Sequence, residues 1–222
     1  VKKNILKSIL FLVFIFSPML LYAQKKQLAT ARESLKTGKE LVKAEKSMQN
    51  LLEDSVNRTN TKIWVMLCDI LMKQYEQGNE KLYLKQQYDT AAFFSVTKRM
   101  YETMAKFDSI DAHLNMPSPV LPKYRERHAQ FLNSIRPNLF NGGTYFLHVK
   151  DYKTAYDYFD NYIKTDKQSL FIGYDYEHKD DLMPHAAYWA MYCGYKLGDT
   201  EKTMRYLNLA ERDSSMLNFV RQ

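Results

Sequence analysis

The residues best equipped for chemistry lie between Asp175 and His185. Asp175-Tyr-Glu-His-Lys-Asp-Asp181, with His185 following, is the only cluster of carboxylates and imidazoles in the chain. Such groups can hold zinc or calcium. A helical zinc site needs the spacing HExxH, and a calcium loop needs oxygen ligands at alternate positions before a closing Glu. Neither spacing occurs, and the Lys179 ammonium stands inside the cluster. The segment reads as a solvated loop leading into a helix, with Asp180 and Asp181 placed to suit the positive end of that helix. Asn141-Gly142-Gly143 has glycines but lacks the Lys and Ser/Thr of a phosphate-binding loop. Five scattered histidines and no GxSxG give no hydrolase arrangement. Cys68 and Cys193 sit among apolar neighbours without CxxC or Cys/His spacing, so both read as buried free thiols. The sequence names no catalytic, cofactor-binding or metal-binding residue.

Without a reaction centre, the chain must be read through the elements that would position a binding surface. Hydrophobic residues make up 45% of its 222 positions and aromatics 14%, enough to fill a core. Seven Gly and six Pro are too few for an all-β chain with many turns, and they favour long helices. The formal charge is +7, and discounting Lys2, Lys3 and Lys7 leaves +4. Those three belong to a segment expected to be removed. The remaining charges are interleaved along helix faces, which argues against nucleic acid as a partner.

Residues 1–23 read as a secretory signal. Lys2, Lys3 and Lys7 precede the apolar run Ile9–Phe16, Ser17-Pro18 breaks the helix, and Ala23 offers a small residue for cleavage before Gln24. The run is short for a membrane span, so no stable span is expected after cleavage. The first residue is Val, which fits an alternative start or a chain cut from a longer one.

Residues 24–222 then read as helices. Leu28, Ala31, Leu35, Leu41, Ala44 and Met48 recur at helical spacing, with a turn at Gly38 dividing Leu28–Thr37 from Glu40–Leu52. Asp54–Thr61 is a polar loop and helix cap. Ile63-Trp64, Leu67-Cys68 and Leu71 mark a helix ending near Gly78, and Asn79–Asp89 is an insertion. Tyr88 to Phe107 forms the next helix. Asn115–Pro122 is a stiff connection, because proline cannot continue a helix. Lys123–Arg136 is helical again, and Pro137 opens a new first turn. Lys167–Met183 is a mixed polar and aromatic stretch ending before Pro184. Pro184–Lys196 and Glu201–Arg212 are helices around a turn at Leu197-Gly198-Asp199.

In the stretch Asn141–Asp166, Gly143 and Phe146 on one helix and Ala155, Phe159 and Tyr162 on the next alternate small with large across a turn at Lys150-Asp151. Ala155 is expected against Gly143. This alternation resembles a tetratricopeptide (TPR) repeat, a helix–turn–helix unit of about 34 residues. The likeness is clearest over residues 139–166 and 184–213, and looser over 28–52 and 61–107. It implies an all-α chain whose helix pairs stack as a short TPR-like solenoid, with first helices lining a groove that binds a protein or peptide. Some TPR proteins grip a terminal carboxylate with Lys, Asn and Arg on that groove. Here the matching positions hold Ala29, Glu33, Val65, Asp69, Phe140, Thr144, Tyr188 and Tyr192, so that clamp is absent.

Tyr188, Tyr192 and Tyr195 recur at four and three on one face of the last first helix, beside Trp189. With Phe140 and Thr144 they are the candidate partner-binding residues, since Tyr joins large contact area to a polar tip. Packing between helices is the competing account. The expected function is an exported scaffold in the bacterial periplasm or envelope, without catalysis. The alternative is a helical glycan-handling component of an envelope nutrient-uptake system. Beyond Arg212, Met216, Leu217, Phe219 and Val220 either fold back as a cap or begin another repeat.

Overall fold

The computed structural model describes residues 23–114 and 121–213. Their regular elements are all helices, with no strand among them. Most of the signal segment, most of the Asn115–Pro122 connection, and Met216, Leu217, Phe219 and Val220 lie outside the described residues. The chain divides into two compact units, residues 1–77 and 78–222.

In the first unit, α1 covers residues 23–37 and α2 covers Leu41–Glu53. Ala31, Ala44 and Met48 are buried, as their helical spacing demands. Asn60 caps α3 (Thr61–Tyr83), its Oδ1 accepting from Lys62 N at 3.1 Å. Ile63, Leu67, Cys68 and Leu71 on α3 are fully or almost fully buried. Trp64 donates from its indole N–H to Arg58 O at 2.8 Å, which ties the 54–60 loop to the helix. The buried Glu45 accepts from Gln74 Nε2 at 2.7 Å, joining α2 to α3 through a polar contact.

α3 does not stop near Gly78. It runs on to Tyr83. Gly78 serves packing instead, because a Cβ there would stand 2.9 Å from the Tyr88 ring. The inserted residues therefore extend α3 and a short turn, and they do not lengthen the following helix. α4 (Thr90–Leu114) starts after Tyr88, at an Asp89 cap that accepts from Ala92 N at 3.1 Å.

The second unit continues with α5 (Arg125–Ile135), α6 (Pro137–His148) and α7 (Tyr152–Lys164). Short 3-10 turns follow at Thr165–Lys167 and Ser169–Phe171, then α8 (Tyr176–Lys179) and α9 (Leu182–Lys196). α10 (Thr200–Met204) and α11 (Leu207–Ala210) end the described chain. α4 packs on α5, α6 and the Ser169–Phe171 turn; α6 packs on α7, α7 on α9, and α9 on α10 and α11. Tyr101, Phe107, Leu132, Leu139, Phe159 and Phe171 form the centre of this core.

The α6–α7 and α9–α10 turns share one construction. A positive-φ residue, Lys150 or Gly198, precedes an Asp that caps the next helix. Asp151 accepts from Thr154 N at 3.1 Å, and Asp199 from Lys202 N at 3.0 Å. Such caps satisfy N–H groups that the first helical turn leaves without partners.

Two sequence expectations change here. The atoms nearest to a Cβ at Gly143 belong to the Phe159 ring, and Ala155 is fully buried. The helix expected over Glu201–Arg212 is broken at Arg205-Tyr206 into α10 and α11. Tyr206 there donates to Asp160 at 2.5 Å, and of Thr203, Leu207 and Ala210 only Ala210 is buried. The mixed Lys167–Met183 stretch holds short helical turns, with Leu170, Phe171 and Tyr176 in the core.

Candidate functional site

α9 has two unlike faces. Met183, Ala186, Ala187, Ala190, Met191, Cys193 and Gly194 are buried against its neighbours. Small residues on this face let other helices come close. At Gly194 a Cβ would stand 2.6 Å from the backbone N of Thr203 on α10. His185, Tyr188, Trp189, Tyr192, Tyr195 and Lys196 occupy the opposite face, half-buried or exposed.

The outward rings form a connected group. Tyr188 meets Trp189 edge-on at 5.0 Å, and Trp189 meets Tyr192 edge-on at 5.8 Å. Tyr152, at the start of α7, stands edge-on to Tyr192 at 6.3 Å. Lys196 Nζ lies 5.3 Å from the Tyr192 ring centre and 5.8 Å from that of Tyr195. Tyr195 is 69% exposed. Rings that pack on one another at the surface hold a rigid relief.

Phe140 and Thr144 are placed differently. Phe140 turns edge-on to Phe159 at 5.5 Å and to Tyr162 at 5.9 Å. Thr144 donates its hydroxyl to Phe140 O at 3.2 Å, within α6. Phe140 belongs to the α6–α7 packing and Thr144 bonds within α6, while the tyrosines of α9 form the surface group just described.

A second candidate was invisible in the sequence. Arg136, 4% exposed between α5 and α6, lies between the rings of Tyr162 and Tyr176, its guanidinium carbon 3.8 Å from each centre. It donates to Thr165 Oγ1 at 2.9 Å and to Tyr162 O at 3.1 Å, and it forms an ion pair with Asp180. Tyr162 donates to the same carboxylate at 2.6 Å. Burial pushes the hydroxyls of Tyr162 and Tyr176 well above the usual phenol range. A cleft of about 480 Å³ opens beside this node, lined by Asn133, Pro137, Tyr174, Lys179, Asp181 and Leu182 as well. In sequence, Arg136 reads only as the residue before a proline. Its partners lie 26 to 47 positions away, so no local pattern marks it.

The acidic segment found by sequence is consumed by this node and its surroundings. Asp180 pairs with Arg136, and Asp175 accepts at 2.6 Å from His178. Glu177 binds Lys167 at 2.6 Å and Arg212 at 2.7 Å, and these bonds hold its carboxyl down to about 2. Its carboxylates therefore stitch the segment to the core as well as facing water. Among the described residues, no three His, Cys, Asp or Glu side chains converge as a metal site.

A further polar cluster lies under α4 and α5. Arg125 grips Asp108 with two bonds of 2.8 Å, and Ser169 donates to Asp108 at 2.8 Å. His128, buried against Phe107 and Tyr124, has its pKa pushed down to about 4, mainly by burial and then by Arg127. These bonds tie the Ser169 turn and α5 to α4.

No family model, curated protein or solved structure matches this chain. Chemically, the outward face of α9 can offer aromatic contact and cation–π partners to a ligand from solution. The Arg136 node already spends its guanidinium on internal bonds.

Proposed function

We propose that this chain is an exported TPR-like scaffold that binds a protein or peptide partner in the bacterial envelope and performs no catalysis. The observation that carries the reading is the outward face of α9, where Tyr188, Trp189, Tyr192 and Tyr195 cluster while small residues fill the inward face. Aromatic residues of this kind dominate partner contacts, because they offer large contact area at little entropic cost. The helix pairs α6–α7 and α9–α10, each with a glycine at the close approach and a capped turn, support the likeness to TPR units. Export rests on the basic and apolar residues 1–16 and on Ala23. Among the described residues, no helix is long and apolar enough to cross a membrane.

The test is capture from an envelope extract with residues 24–222 as bait, beside Tyr188→Ser/Tyr192→Ser/Tyr195→Ser. A partner retained by the wild type and lost by the folded variant supports the reading. Equal capture by both removes the aromatic face from it. N-terminal sequencing of the exported product should begin at Gln24, and an intact Lys2 in the envelope fraction would contradict cleavage.

The Arg136 cleft favours a second reading, a glycan-handling component of a nutrient-uptake system. Tyr174 and Tyr176 stand 5.5 Å apart on its wall, beside Asn133 and Asp181, and such rings stack on sugar faces. Calorimetric titration with oligosaccharides separates the two readings, since a saturable heat lost in Tyr174→Ala would favour this one.

A further inference from the structure

The turn of α6–α7 and the end of α9 carry lysines close in the chain to the aromatic residues. Lys150 and Lys153 flank Tyr152, whose ring stands against Tyr192. Lys196 follows on α9 and lies over Tyr192 and Tyr195. All three lysines are exposed. Elsewhere in this unit lysines pair with carboxylates, as Lys164 does with Asp160 at 2.6 Å and Lys167 with Glu177 at 2.6 Å. Among the described residues, Lys150, Lys153 and Lys196 make no ion pair.

Carboxylates near them along the chain offset part of this charge, and Asp157, four residues after Lys153, lies 3.9 Å from Lys98. Asp151 is engaged as the cap of α7, and Asp199 caps α10 and holds Lys202. Glu201, exposed in the first turn of α10, makes no bond through its side chain among the described residues. The turn end thus presents three lysines without an ion pair against two such carboxylates, Asp151, which keeps its charge as a cap, and Glu201. Positive charge beside aromatic rings is complementary to a segment that mixes acidic with apolar side chains.

We infer that the Tyr152–Tyr192–Tyr195 surface, with Lys150, Lys153 and Lys196, docks an acidic peptide segment of the partner. This rests on the partner-binding reading above and names the chemistry of what is bound. The rings supply contact area, and the lysines supply selection for carboxylates and faster encounter. Each exposed ion pair adds little, so the preference should be modest and should fall with salt.

The probe is a short fluorescein-labelled peptide alternating Glu with Phe, compared with its Gln counterpart, with anisotropy read on the purified protein. The acidic peptide should bind about tenfold tighter at low salt, the size expected of three exposed pairs. The gap should close as salt rises. Lys150→Gln/Lys153→Gln/Lys196→Gln should bring the acidic peptide to the level of its counterpart while leaving the circular dichroism and Tm unchanged. Tyr192→Ser/Tyr195→Ser should weaken both peptides. Equal binding of both peptides, lost in the tyrosine variant, overturns the acidic preference and leaves the partner reading standing. Binding of neither peptide also overturns it, and the partner reading then stands or falls on capture from extract. A third overturning result is tighter binding to anionic phospholipid vesicles than to the acidic peptide, which assigns the lysines to a lipid surface.

Discussion

The α6–α7 pair and the α9–α10 pair solve the same packing problem in opposite ways. Both have a capped turn and a glycine at the close approach. In α6–α7 the glycines receive aromatic rings: a Cβ at Gly142 would stand 2.7 Å from Tyr158, and one at Gly143 2.6 Å from Phe159. Both rings are buried. In α9–α10 the glycine receives backbone, and the rings of α9 point away from the core. Aromatic side chains buried in a core stabilise by about 1.5–3 kcal/mol each. A helix that builds its inner face from Ala, Cys, Gly and Met, without an aromatic ring, forgoes that gain and keeps its rings at the surface. The same residue type thus serves stability in one pair and recognition in the other.

This contrast is broken most forcefully at Phe159. Phe159→Ala should open a cavity over Gly143 and cost about 3–5 kcal/mol, read as a lower denaturant midpoint. A midpoint at the wild-type value would mean that the ring is not core.

Gly194→Ala comes next. Its methyl would meet the Thr203 backbone, which cannot swing aside as a side chain does, and the expected cost is about 1–3 kcal/mol. Ala155→Leu should cost a similar amount by overpacking the fully buried site beside Phe159. Neutral outcomes at both would show that these helix pairs are loosely packed.

Cys193 and Tyr195 sharpen the comparison within α9, since they stand two residues apart on opposite faces. Burial pushes the Cys193 thiol up to about 12, so almost no thiolate forms near neutral pH. A thiol reagent should label neither Cys193 nor the buried Cys68 until the protein unfolds. Rapid labelling of the native protein would place that face of α9 in solvent. The smallest stability effect belongs to Tyr195→Ala, expected to shift unfolding by no more than about 0.5 kcal/mol because the ring is exposed.

Much of this fold was legible from periodicity alone. The α1–α2 turn, the Asn60 cap, Pro137 in a first turn and the Lys150-Asp151 turn all stand where local residue types set them. The failures were local rules overridden by tertiary contacts. Gly78 looked like a helix end, but it clears room for Tyr88 while α3 continues. The 201–212 pattern looked like one helix, yet it breaks where Tyr206 reaches Asp160 on α7, 46 positions away. Tyr188, Tyr192 and Tyr195 were legible as a strip because they share a helix face. The lysines beside them, and the Arg136 node, were not legible, because they are assembled from separate turns and helices.

The claim that α9 keeps its rings for a partner is tested most directly by site-specific photocrosslinking. A benzophenone amino acid would replace Tyr195, with Tyr158 as the buried control and Tyr83, 84% exposed, as the surface control. Irradiation in cells that make the protein should give a discrete adduct at Tyr195 and none at Tyr158 or Tyr83. No adduct at Tyr195, or the same adducts at Tyr83, would contradict the assignment of that face to recognition.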